Sequence, residues 1–166
     1  MDRQQIGLKL ALDALQHKLD LSDFDHRLML QKAIYLAQAS GVDLGYAFQW
    51  YLRGPYSPGL TRDAFALKAE QGQPQDEFRD WKLDPDSQIR LAKLLPLMST
   101  DGTDRPAKRL ELLASVHFVV NTRQAKISDP ANVESVLRRS GKDFSVNEVG
   151  KAIDDLRAYG LLPRNA

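Results

Sequence analysis

The chain has 166 residues and no cysteine, which excludes structural disulfides, thiolate metal sites and cysteine nucleophiles. Its 23 Lys and Arg balance 22 Asp and Glu, leaving a net charge of +1, well short of the basic excess of a dedicated nucleic-acid binder. The length suits one domain carrying a helical extension, no apolar run approaches the ~18 residues of a membrane span, and Asp2, Lys9 and Asp13 interrupt what a signal peptide would need to keep apolar; the expectation is a cytoplasmic protein with no membrane contact.

Residues 3–19 read as an amphipathic helix with Leu8, Leu12, Leu15 and Leu19 on one side. Ser22 and Asp25 predict a capping-box start for a second helix, and Gly41 its left-handed stop after Ser40. Leu28, Leu30, Ala33, Ile34 and Ala37 leave that helix little polar circumference, so it is expected at the centre of the fold. A strand is predicted over about 46–53, because Tyr46, Phe48, Trp50 and Leu52 fall on alternate positions and share one face. Gly54-Pro55 then breaks the strand. Ser57 caps the third helix and Pro58 occupies its first position, where no donor is needed. This helix runs towards Gly72 with Leu60, Ala64 and Leu67 inward.

Residues 71–78 are polar and predict a loop. Arg79, Trp81 and Leu83 alternate with Asp80 and Lys82, a second strand able to pair with the first as a small β-ribbon. Asp84-Pro85-Asp86 opens a fourth helix carried by Ile89, Leu91, Ala92, Leu94 and Leu95, which Pro96 kinks or ends. Asp101 to Asp104 supply a turn and a cap for a fifth helix reaching about Asn121, with Leu110, Leu113, Ala114, His117 and Val120 on one side. Asp129-Pro130 starts a sixth helix that Gly141 closes. The last helix opens on a capping box of Ser145 and Glu148 with a staple of Phe144 and Val149, buries Val149, Ile153 and Leu156, and stops at Gly160 with Leu161 folding back.

The order predicts a mainly α fold with a small β-ribbon: a winged-helix-like core over residues 1–100 and a C-terminal helical extension, residues 101–166, packed on the same core. In that arrangement 58–70 is the recognition helix and 72–84 the wing.

Two segments carry a family resemblance. Leu30-Gln31-Lys32-Ala33-Ile34-Tyr35-Leu36-Ala37-Gln38 and the turn Gly54-Pro55-Tyr56-Ser57-Pro58 resemble the Panacea (SocA-like) antitoxin domain and the YwgA-like uncharacterised bacterial family. The specific likeness covers about residues 28–67, with an echo of the YwgA-like closing helix at 142–162. The resemblance implies a mostly helical, winged-helix-like domain that binds another protein, often a toxin encoded beside it, and relatives in antiviral (phage) defence clusters. It supplies no catalytic residue, and the long polar segment 71–86 and the helices after 100 depart from a plain antitoxin domain.

The partner-binding candidates centre on the strand and turn. Trp50, Tyr51 and Tyr56 are large, stiff and amphipathic, the type that anchors interfaces, although Phe48 and Trp50 also suit a core. Arg53 lies on the face opposite Trp50 and can offer planar donors to a carboxylate or phosphate. Gly54, Pro55 and Ser57 shape the turn, and Arg62 stands on the following helix. A second candidate patch for an acidic partner or nucleic acid is Arg105, Lys108 and Arg109, placed where positive charge opposes the helix dipole at ~0.3–1 kcal/mol per charge. Arg138, Arg139 and Lys142 end a helix, where positive charge is favourable and needs no functional account.

Catalysis finds no foothold. His17, His26 and His117 lack metal-ligand spacing, His117 reads as a hydrogen-bonded core residue, Gly54 and Gly59 do not form a phosphate loop, and Ser57 sits in no nucleophile elbow. The reading is therefore a non-enzymatic protein-binding module of a toxin–antitoxin or phage-defence system, with no metal or cofactor, which neutralises or recruits a partner protein and has homodimerisation as a further option. The alternative is a winged-helix DNA-binding transcriptional regulator, which Asp63 and Glu70 beside Arg62 and Lys68 on the recognition helix disfavour.

Overall fold

The computed structural model describes residues 1–73 and 78–164. Among these the chain is mainly helical with one small antiparallel ribbon: α1 (Arg3–Ala14), α2 (Phe24–Ala39), β1 (Gln49–Tyr51), β2 (Gly54–Tyr56), α3 (Pro58–Ala69), α4 (Pro85–Met98), α5 (Pro106–Asn121), α6 (Pro130–Arg139) and α7 (Val146–Ala158). None of these helices is long and apolar enough to cross a membrane.

α2 and α5 form the centre and pack on each other. From Leu30 to Ala37 every residue of α2 is buried, and α5 buries Leu110, Leu113, Ala114, Val116 and Val119. A helix apolar nearly all round is stable only when covered on most sides. α3 and α4 cover α2, and α6 and α7 cover α5. One buried cluster draws residues from all seven helices and from Val42, Leu44 and Tyr46. The helices after residue 100 thus share the core of those before it.

Most boundaries follow local chemistry. Ser57, Asp84, Asp129 and Ser145 each accept a backbone N–H of their helix's first turn, and Ser145 with Glu148 completes a capping box. Gly160 at φ 74° lets Leu161 donate back to the Leu156 carbonyl at 2.9 Å, the expected closing turn. Four boundaries differ from the sequence reading. α1 stops at Ala14, with Gln16 in the left-handed region at φ 53°, although Leu15 and Leu19 stay buried. Asp23, not Ser22, caps α2, because its carboxylate takes the His26 N–H at 2.8 Å. α4 runs through Pro96 to Met98 while burying Leu91, Leu94 and Leu97; Ile89 and Ala92 face solvent, and the carbonyl that Pro96 leaves without a helical donor is that of the exposed Ala92. Asp104 does not cap α5: its N-cap is Arg105, with no side-chain cap bond.

The largest correction concerns the ribbon. β1 pairs with β2, Gln49 opposite Tyr56, Trp50 opposite Pro55 and Tyr51 opposite Gly54. The segment 79–83 is no strand; residues 78–80 form a turn and Trp81 is exposed. Of the expected wing and polar loop, residues 74–77 lie outside the described residues, and the described remainder of 72–84 holds no strand. The ribbon therefore precedes α3 instead of flanking it as a wing. Local pairing wins because closing a two-residue turn costs less entropy than closing a long loop. Neither Leu52 nor Arg53 has a positive φ; the left-handed step falls to Gly54 at φ 87°.

Candidate partner-docking site

The approach to the ribbon is set by alternation. Val42, Leu44 and Tyr46 point inward while the residues between them are exposed. Phe48 meets the Tyr35 ring edge-on at 5.3 Å, and Trp50 packs on Phe118 at 5.4 Å. These two side chains are scaffold. Leu52, expected on the same face, is lifted away by the turn and is 90% exposed.

Beneath the ribbon lies a buried polar layer. The Gln31 amide accepts the Ser57 N–H and donates to the Ser57 carbonyl, both at 2.9 Å, and also donates to Thr61 Oγ1. Thr61 Oγ1 in turn donates to the Tyr56 hydroxyl. Lys32 Nζ donates to the Pro55 carbonyl at 2.6 Å. Lys142 Nζ donates to the Leu52 carbonyl and pairs with Glu111 Oε1 at 2.7 Å. Both lysines and Glu111 are buried. The pairing register accounts for Pro55: alternate pairs of an antiparallel ladder exchange no hydrogen bonds, so its missing donor is not needed and its carbonyl turns outward, where Lys32 satisfies it.

Electrostatics mark this layer as costly and specific. Burial pulls the Lys32 ammonium down to about 7, against the opposing pull of Glu111. Burial also lowers Lys142, partly offset by its bond to Glu111. Ser115 Oγ is buried with no hydrogen-bond partner among the described residues, and a Cβ at Gly54 would stand 2.5 Å from it. Glycine at 54 is thus required twice, by its φ and by the absence of space. The segments 30–38 and 54–58 meet here, Gln31 and Lys32 clamping Pro55 and Ser57.

Two cavities flank the ribbon tip and share Phe24, Leu28, Leu52 and Arg53 as a common wall. The first, about 500 Å³, lies between α2 and the ribbon and is bounded by Tyr51 and Tyr56, whose rings meet edge-on at 5.0 Å. The second, about 580 Å³, opens towards the start of α5 and is lined by Arg105, Lys108, Phe144 and the acids Asp25, Asp104, Glu111 and Asp143. Arg53 spans both, its guanidinium 5.9 Å from the Phe24 ring.

The expected site residues divide accordingly. Tyr51, Arg53 and Tyr56 reach the surface at the tip, and Arg105 and Lys108 share the second cavity with Arg53 alone of these three. Gly54, Pro55 and Ser57 are buried and hold the turn. Trp50 lies half-buried under the Lys142 ammonium, 5.5 Å from its ring. Arg62 stands apart on α3, engaging Asp63 at 3.2 Å. Arg109 turns away to the Leu97 carbonyl and to Asp155. Lys142, which the sequence placed as a helix-end surface charge, is instead an internal latch. His117 behaves as expected: buried, 2.7 Å from the Tyr35 hydroxyl, and lowered to about 4 by burial.

Sequence reasoning missed Phe24, Leu28, Lys32 and Glu111 as parts of this site. One signal was available for Lys32: a cation inside an otherwise apolar stretch of α2 must find a buried acceptor. Among the described residues no three His, Asp or Glu side chains converge as a metal-ligand set. No protein-family model and no curated protein sequence matches this chain.

Proposed function

We propose that the chain is a cytoplasmic protein-binding module of the toxin–antitoxin or phage-defence kind, which docks a partner protein on the ribbon tip and neutralises or recruits it. One observation carries the reading: Leu52 at 90% and Tyr51 at 45% exposure on the ribbon, with Phe24 at 53% exposure at the start of α2, form an apolar group beside a ribbon whose base is fixed by buried charged hydrogen bonds. Exposed apolar groups on a rigid frame are the usual composition of an interface centre. The likeness of the α2 and Gly-Pro-Tyr-Ser-Pro segments to the Panacea and YwgA-like proteins supports the same assignment. The DNA-regulator alternative has less to rest on, since on α3 Arg62 engages Asp63 and Lys68 donates to the Leu19 carbonyl.

The test is co-expression with the product of the adjacent gene. The native chain is expected to retain that protein through purification, and Leu52→Asp is expected to weaken retention by about tenfold or more without altering the thermal melt. Retention equal to native by a folded Leu52→Asp variant would remove the tip from the argument, and failure of the native chain to retain the neighbour would remove the module reading itself.

A further inference from the structure

The cavity between α2 and the ribbon has a feature that narrows the partner. Its wall is apolar and aromatic, from Phe24, Leu28, Tyr51, Leu52 and Tyr56. Its charged lining residues are Arg27, Lys32 and Arg53, and among the described residues no carboxylate lines it. Asp25, the nearest acid along α2, lines the neighbouring cavity.

The cations are not equivalent. Arg27 donates to the Leu21 carbonyl at 2.9 Å, and Lys32 is committed to Pro55. Arg53 has no carboxylate partner among the described residues; its guanidinium lies only against the Phe24 ring, at the rim. A guanidinium held at the mouth of an apolar pocket, with its planar donors unpaired, matches a carboxylate arriving beside an apolar group. The volume of about 500 Å³ lies in the range of a ligand pocket and exceeds one large side chain.

Resting on the docking role proposed above, we infer that this cavity receives an acidic amphipathic segment of the partner protein: a large apolar or aromatic side chain enters between Phe24 and Tyr51, and a neighbouring Asp or Glu pairs with Arg53. Burial of the apolar anchor supplies affinity, and the Arg53 guanidinium at the rim of a cavity lined by no carboxylate among the described residues supplies selectivity for acidic over basic segments.

The test uses defined synthetic peptides and the full chain. One fluorescein-labelled peptide carries Leu and Phe one helical turn apart with Glu at the flanking positions. A second replaces Glu by Lys, and a third replaces Leu and Phe by Ala. Fluorescence anisotropy measures binding, and amide chemical shifts locate it. The acidic peptide is expected to bind about tenfold or more tighter than either control, with shifts confined to Phe24, Tyr51, Leu52 and Arg53. Arg53→Glu, an exposed change with little reach into the core, is expected to reverse the preference between the Glu and Lys peptides. Equal binding of the Glu and Lys peptides, no saturable binding of the acidic peptide into the millimolar range, or shifts elsewhere would overturn the inference. Decanoate filling the cavity in preference to every peptide would overturn the choice of a protein segment. If Arg53→Glu leaves retention of the neighbouring gene product intact, this inference fails while the docking role stands. If that product is never retained yet the acidic peptide binds selectively here, the docking role fails and the cavity's preference remains.

Discussion

Gly54→Ala tests the account of the ribbon most directly, because two independent costs meet at one atom. The backbone there sits at φ 87°, where an L side chain costs roughly 1–2 kcal/mol. The new methyl would also stand 2.5 Å from Ser115 Oγ, an overlap that forces the helix or the ribbon to shift at about 1–3 kcal/mol. Together they predict a loss of about 2–5 kcal/mol, a large part of a typical domain's stability. Ser115→Ala alone is expected to be neutral or stabilising by up to about 1 kcal/mol, since it deletes a buried hydroxyl that has no partner among the described residues. In the double variant the contact at Ser115 Oγ disappears while the φ cost stays. Urea unfolding of all four proteins gives the coupling energy, expected at about 1–3 kcal/mol in favour of the double variant. Additivity within about 0.5 kcal/mol would show that Gly54 does not pack against Ser115 as described. A destabilising Ser115→Ala, by about 1 kcal/mol or more, would show that its hydroxyl is partnered.

Lys142→Met leaves the buried Glu111 carboxylate without its hydrogen-bonded partner, and truncating one partner of such a pair costs about 3–5 kcal/mol; Lys142→Met with Glu111→Leu is expected to recover most of that loss, as read by thermal unfolding. Stability should also depend on pH through Lys32. Its folded value of about 7 lies below the ordinary 10.5, so between these limits the unfolded chain binds the proton more tightly. Stability is then expected to rise from about pH 7 towards pH 10.5, with the cost fully present below pH 7. Lys32→Met should flatten the slope in that window, and an unchanged slope in a folded variant would locate the titration elsewhere.

The sequence revealed the helices far better than the ribbon, and the reason is range. Ser57-Pro58, Asp84-Pro85, Asp129-Pro130 and Ser145 with Glu148 each specify a helix start from residues within one turn, so they were legible without tertiary knowledge. The ribbon was misread because Gly54-Pro55 has the look of a strand stop, whereas Gly54 is the exit of the turn and Pro55 occupies a ladder position needing no donor. The alternation that identified Tyr46, Phe48 and Trp50 as one face was correct, but it extended to Leu52, where the turn reverses the pattern. Buried lysines were less visible still. Lys142 and the carbonyl it satisfies are 90 positions apart, and a lysine followed by Asp143 reads locally as a wet loop. The tip residues Tyr51, Arg53 and Tyr56 were found for their chemistry, while Phe24 and Leu28 completed the pocket only once α2 was laid beside the ribbon.

The buried charges also bear on the docking role proposed for the tip. An isolated two-stranded hairpin is marginal in water, and a ribbon resting on apolar contacts alone can slip by one residue at modest cost. Here a slip would aim Lys32 and Lys142 at backbone N–H groups in place of the Pro55 and Leu52 carbonyls and would drive a Cβ towards Ser115 at the position now held by Gly54. Each error buries an unpaired charge or forces an overlap, so the register is fixed by penalties on its alternatives as much as by its own bonds. The turn between those two carbonyls presents Leu52 and Arg53, and anchoring on both sides fixes their backbone before any partner arrives. Ordering that would otherwise cost about 0.5–1.5 kcal/mol per side chain on association is reduced by folding. The layer that weakens the fold by desolvating two ammoniums is therefore the layer that makes the exposed tip a rigid surface.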